Sequence, residues 1–283
     1  SVKNDGKSIG LLIEKYIGKL GRKLFLLFCW LFTLLVIAAF ADMVAGTFNA
    51  FTTVDGQVQL SEAARPNGAA GTISLLFILF AMVFGVLQKK FNLSGWKATV
   101  VGLVCTIAAL AIGMALPITA GKDTWTYITF VYIFFAAVLP IWLLKQPRDM
   151  MTTYMFISMI VGAVLGLLVA HPTMNLPVYT GFTNEKLGNM FPILFVTVAC
   201  GAISGFHSLV SSDTSSKTIA NEKDMLKVGY GAMVLESLLA VVALCVAGAA
   251  ASADGTPAAG TPFQVFSNGV AGFLEMFGIP LYV

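Results

Sequence analysis

Leu24-Phe25-Leu26-Leu27-Phe28-Cys29-Trp30-Leu31-Phe32-Thr33-Leu34-Leu35-Val36-Ile37-Ala38-Ala39-Phe40-Ala41 runs for 18 residues without a charge. A helix through this stretch and its neighbours is long enough to cross about 30 Å of hydrocarbon. In that medium the backbone has to satisfy its own hydrogen bonds, which a helix does and an open strand does not. The same reading applies near 71–88, 98–118, 126–144, 151–170, 191–211 and 226–251, so 24–51 is the first of seven expected spans. A partial eighth, 263–283, reads as an outer-surface helix or the start of a span. The fold class is therefore all-α, a polytopic membrane protein. Composition agrees, with 58% apolar and 11% charged residues against roughly 25% charged in soluble domains.

Lys and Arg give each loop a side, because short positive loops stay cytoplasmic. Six precede the first span: Lys3, Lys7, Lys15, Lys19, Arg22 and Lys23. Later cations cluster in alternate loops, at Lys89, Lys90 and Lys97, then Lys145 and Arg148, then Lys217, Lys223 and Lys227. The other loops hold Arg65, Lys122 and Lys186 singly. The N-terminal end is thus expected inside. Ile9, Leu12, Ile13, Tyr16, Ile17 and Leu20 recur at helical spacing, which makes 1–23 a cytoplasmic amphipathic helix resting on the inner surface and 24–283 the transmembrane domain.

Several classes find no support. A net charge of +3 without a basic aromatic patch gives nucleic acid nothing to bind. Cys29, Cys105, Cys200 and Cys245 lie in apolar runs without metal-ligand spacing. No nucleophile is spaced with a base and an orienting group, so an enzyme is not expected, nor a cofactor or metal.

The sixth span, Phe191 to Lys217, is apolar in its first half and rich in hydroxyls in its second. Gly201, Ser204, Gly205, Ser208, Ser211, Ser212 and Ser215 fall on one helical face, with Cys200 and His207 at its edge. Gly201 to Gly205 matches GxxxG, and close packing is one reading. The other is a discontinuous helix whose freed backbone groups and hydroxyls bind substrate or a coupling ion. Six Ser or Thr residues between Ser208 and Ser216, with Asp213 among them, favour the second. His207 either takes part in a proton relay or substrate contact, or is satisfied by a neighbouring helix. Two carboxylates lie inside spans, where charge is costly. Glu236 shares a face with Ala232, Ala240, Ala243 and Ala247, and Asp42 with Ala38, Ala45, Gly46 and Asn49. Each titrates during transport or pairs with a donor on another helix. Lys145-Gln146-Pro147-Arg148-Asp149 is a tight turn with positive-inside anchors or an inner gate in which Arg148 and Asp149 exchange ion-pair partners.

Three segments taken together resemble the carbon starvation protein family. They are Leu139-Pro140-Ile141-Trp142-Leu143-Leu144 with Gln146-Pro147-Arg148-Asp149, then Ala199-Cys200-Gly201-Ala202-Ile203-Ser204-Gly205-Phe206-His207-Ser208-Leu209-Val210-Ser211-Ser212, then Gly229-Tyr230-Gly231-Ala232-Met233-Val234-Leu235-Glu236-Ser237. The resemblance implies a bacterial inner-membrane secondary transporter related to the amino acid, polyamine and organocation superfamily. Such a protein takes up pyruvate, short peptides or amino acids, coupled to a gradient of H+ or Na+. It also implies inverted repeats that each begin with a broken helix, the sixth span opening the second. Where the family continues with Gly after Ser211-Ser212 and with Pro before Lys, this chain has Asp213 and Ser216. Both ends read as cut, so the chain is expected to be the central portion of a longer protein, lacking the other broken helix. The expected site is Gly201, Ser204, Gly205, His207, Ser211, Ser212 and Asp213 with Glu236 in support. A membrane-embedded sensor or assembly subunit that binds a metabolite without moving it is the competing class.

Overall fold

The computed structural model describes residues 4–54, 57–179, 181–184, 188–202, 205–252, 254–258 and 260–275, with only the backbone at 53, 54, 184, 200–202, 205, 206 and 213. Its helices in chain order are α1 (Ile9–Ile17), α2 (Lys19–Phe48), α3 (Ala64–Lys90), α4 (Trp96–Ala115), α5 (Lys122–Val138), α6 (Lys145–Ala170), α7 (Met190–Ala202), α8 (Gly205–Val210), α9 (Ser216–Thr218), α10 (Met225–Ala250) and α11 (Pro262–Glu275). A π-helical turn, Ser211–Ser215, lies between α8 and α9, and a 3₁₀ turn, Glu222–Asp224, precedes α10. Among the described residues there are also two short antiparallel hairpins, Phe51–Val54 with Gln57–Leu60 and Thr183–Asn184 with Gly188–Asn189. This is a multi-pass helical membrane protein: α2, α3, α4, α6 and the helix from Glu222 to Ala250 are long and apolar enough to cross a bilayer.

Element boundaries follow local chemistry. The amphipathic stretch breaks at Gly18, whose φ of 107° suits glycine and whose N–H caps the carbonyls of Ile13 and Glu14. Leu20, expected on the amphipathic helix, therefore falls in the first turn of α2. The apolar run expected to extend through residue 144 stops being helical at Val138, because Pro140 disfavours helical backbone at the residue before it and cannot donate to the ladder. Residues 141–144 form a turn, and the charged segment expected to be a tight turn is instead the first turn of α6. His171 ends α6 in the left-handed conformation, φ 41°, and Pro172 comes next. At 17 and 13 residues, α5 and α7 are shorter than the five long helices.

The segment expected to start an eighth span is α11, 14 residues long. Its start is a capping box with Pro262 at the first helical position: the Gln264 N–H donates to Thr261 Oγ1 at 3.3 Å and the Thr261 N–H to Gln264 Oε1 at 3.0 Å.

The chain divides into two compact units, one of residues 1–36, 175–241 and 252–256, the other of 37–174, 242–251 and 257–283. The second unit has two apolar cores. One joins Phe77, Ala81 and Phe84 of α3, Ala98 and Ala109 of α4, and Leu144 and Met151. The other joins Ala163 of α6, Val242 and Val246 of α10, and Val270 and Phe273 of α11. Small residues admit the neighbours: Trp125 rests on Gly71, Ile73 on Gly113, and Phe273 on Gly166, each where a β-carbon would collide. Buried Thr72 donates its hydroxyl to Gly68 O and accepts the Ile118 N–H, both at 2.8 Å, tying α3 to the α4–α5 loop. The first unit keeps α1 by the Arg22–Glu14 ion pair and Lys15 to Asn4 Oδ1 at 2.8 Å.

Candidate functional site

The first unit brings two of the expected residues together. His207 in α8 and Glu236 in α10 meet with Nε2 3.3 Å from Oε2. Their side chains are 48% and 46% exposed within the structure, so the pair is approachable rather than sealed in a core. A carboxylate inside an apolar helix is costly alone and far less so beside an imidazole that can take its counter-charge or its proton.

Immediately after α8 the helix widens. Ser211–Ser215 bonds five residues apart instead of four, a geometry frequent at functional sites. The hydroxyls answer in kind: Ser211 Oγ donates to Ser208 O at 3.1 Å, Ser212 Oγ to Leu209 O at 3.3 Å, Ser216 Oγ to Ser212 O at 2.5 Å and Thr218 Oγ1 to Thr214 O at 3.1 Å. Donating backwards along the helix offers its carbonyls alternative partners and bends it. It also leaves hydroxyl lone pairs as the outward function, an arrangement of acceptors that suits a cation or a proton donor.

The expected face divides. Ser212 is buried at 7% exposure, whereas Ser211 and His207 are exposed. Gly201 lies in α7 and Gly205 opens α8. Asp213 falls in the π-helical turn and is described by its backbone alone, and Ser204 lies outside the described residues. A cavity of about 320 Å³ in this unit is lined by Phe25, Cys29 and Thr33 of α2 with Leu209, Val210 and Thr214, and by none of the expected site residues.

In the second unit Asp42 pairs with Lys122 Nζ at 2.7 Å, the first residue of α5. Arg148 donates through Nη1 to Tyr132 Oη at 2.5 Å, its Cζ 5.2 Å from the ring centroid. Asp149 is exposed and makes no ion pair among the described residues. Sequence reasoning did not single out Lys122 or Tyr132 as partners. Helical spacing of Trp125, Thr129 and Tyr132 on α5 is the signal that marks a common face. Outside the membrane, the hydroxyl and backbone N–H of Thr256 hold the exposed Asp254 carboxyl below its usual range.

The carbon starvation protein CstA family model matches residues 1–276. The pyruvate/proton symporter BtsT of Escherichia coli K12 is 33% identical over 261 residues, 87% of this chain and 34% of that protein. The peptide transporter CstA of the same organism is 33% identical over 259 residues, 86% of this chain and 34% of its own length. The peptide transporter CstA of Bacillus subtilis 168 is 33% identical over 257 residues, 86% of this chain and 43% of that protein. The chain thus spans about a third of the length of the two Escherichia coli relatives. No solved structure matches it. The family model covers nearly the whole chain, and this chain belongs to the carbon starvation protein family.

Proposed function

We propose that this chain forms part of a secondary transporter that takes up a small nutrient, a pyruvate-like acid, short peptide or amino acid, coupled to protons. The observation that carries the reading is the His207–Glu236 pair, 3.3 Å apart and half exposed, beside the hydroxyl-lined π turn. Imidazole and carboxylate can pass one proton between them, and loading or releasing it changes the charge facing the serines. Ser211, Ser212 and the segment from Gly201 through Ser204 and Gly205 to Asp213 line the site, and Glu236 supports it. The outward lone pairs fit a proton, a sodium ion or a substrate ammonium. The relatives named as a proton symporter and peptide transporters support the class.

The membrane arrangement is part of the proposal. Seven spans result when α5 is completed by residues 139–144 and when α7, α8, the π turn and α9 cross as one interrupted helix, as expected where an inverted repeat opens. The cation bias supports a bacterial inner membrane with the N-terminal end of the chain inside and α1 on that surface. Uptake of labelled pyruvate and dipeptides by the full-length protein tests the site with His207→Ala and Glu236→Gln. Wild-type uptake in both variants removes the pair from the mechanism. Countertransport in proteoliposomes separates a transporter from a sensor, which exchanges nothing.

A further inference from the structure

At one end of the second unit α3 finishes, α4 starts after the loop 91–95, and α6 starts beside them: a β-carbon on Gly85 of α3 would meet Leu143 O at 2.8 Å and Pro147 Cγ at 2.9 Å. This end gathers cations. Segments 85–99 and 139–153 hold Lys89, Lys90, Lys97, Lys145 and Arg148 against a single carboxylate, Asp149. None of the five makes an ion pair among the described residues, and the four lysines are exposed. The opposite ends of α3 and α5 mix signs instead: Glu62 lies near Arg65 in the chain, and Asp123 follows Lys122, which pairs with Asp42.

Aromatic rings flank the cations. Phe91, Trp96 and Trp142 are exposed, and Lys89 Nζ stands 4.0 Å from the Trp142 ring centroid. Trp142 precedes Lys145 by three positions, so this contact brings a cation of α3 to those of α6. A ring face engages one side of an ammonium and leaves donors on the other for oxygen acceptors. Along the same helices Val83 and Val86 of α3 and Val100 and Leu103 of α4 are exposed as well. The surface is therefore cationic and aromatic at its end and apolar on its flank. A nucleic acid or a soluble anion has nothing to place on that flank, whereas a phospholipid has its acyl chains. Lysine with tryptophan at a helix end is also the pattern of the headgroup level.

We propose that this end binds an anionic phospholipid, its phosphate on Lys89 and Lys145 and its acyl chains along α3 and α4. Neither lysine belongs to the site proposed for proton coupling. The proposal rests on the membrane arrangement given above, which puts this end at the cytoplasmic leaflet.

The test is native mass spectrometry of the full-length protein in detergent, titrated with phosphatidylglycerol or with phosphatidylcholine of the same acyl chains. Wild type should bind phosphatidylglycerol at least about 25-fold more tightly, since each cation near an anionic lipid contributes roughly fivefold. Lys89→Gln combined with Lys145→Gln should lose about 25-fold in phosphatidylglycerol affinity and leave phosphatidylcholine unchanged. Lys89→Arg with Lys145→Arg keeps both charges and should bind as wild type does, and so should Arg65→Gln at the opposite end. Equal affinity of wild type for the two lipids, or undiminished binding by the glutamine variant, overturns the proposal. So does equal loss in the arginine variant or in Arg65→Gln, because the charge at this end would then not be what binds. Displacement of the lipid by an equal concentration of inorganic phosphate overturns it as well, by making the ligand a soluble anion. Binding in detergent is independent of sidedness, so the membrane arrangement is read apart from it. An impermeant maleimide should label Ser94→Cys in inverted vesicles and not in right-side-out ones, and the reverse pattern would overturn that arrangement alone.

Discussion

In the second unit a β-carbon on Gly71, Gly113 or Gly166 would collide with Trp125, Ile73 or Phe273; in the first, Gly229 and Gly231 on α10 have no neighbouring atom of the described residues within 4 Å of where one would stand. Both sets of glycines sit in apolar helices. In one region the missing side chain is a seat for a neighbour, and in the other it leaves open surface on the helix that carries Glu236. Small residues at helical spacing therefore announce close packing or a free face with the same sequence signal, and only the contacts tell which.

The largest effect that could break this contrast belongs to Gly113→Leu. Ile73 and its backbone have nowhere to go, and we expect a loss of about 3 kcal/mol in stability, seen as a lowered unfolding temperature in detergent. Unchanged stability would mean that the seat is not tight. Next comes the His207–Glu236 pair of the open region. Glu236→Gln should reduce proton-driven uptake about 100-fold, the scale of a lost proton-transfer group, with the unfolding temperature close to wild type. A fall in stability instead would reassign the pair to structure. Thr261→Ala removes the capping box of α11 and should cost about 1 kcal/mol, measured by the same unfolding assay. Smallest, and of opposite sign, Gly229→Ala and Gly231→Ala should each stabilise α10 by about 0.5–1 kcal/mol, since nothing opposes the better helix former.

Much of the fold was legible because length and hydropathy alone identify α2, α3, α4, α6 and α10. Boundaries were read less well where one residue overrides an apolar run. Pro140 ends α5 inside Leu139-Pro140-Ile141-Trp142, and Gly18 splits the amphipathic helix from α2, although both residues were visible signals. The hairpin Phe51–Leu60 was not read from the sequence, although Asp55-Gly56 between short β-prone segments is a hairpin signal. For the candidate site, the polar segment from Ser208 to Ser216 could be read from its hydroxyl spacing. The partnership of His207 with Glu236 could not, since they lie 29 positions apart in the chain and only the fold brings them within 3.3 Å. Lys122 as the partner of Asp42, and Tyr132 as the partner of Arg148, were hidden for the same reason.

The π turn has a consequence for counting. Bonding five residues apart places one residue more in Ser211–Ser215 than an α-helix would hold, and each α-helical residue turns the chain by about 100°. The residues of α9, Ser216–Thr218, thus leave the segment rotated by about that angle from its α-helical course. The number of residues here is as informative as their identity: a one-residue deletion within the turn rotates the chain beyond it, while a serine-to-alanine exchange leaves that direction as it is.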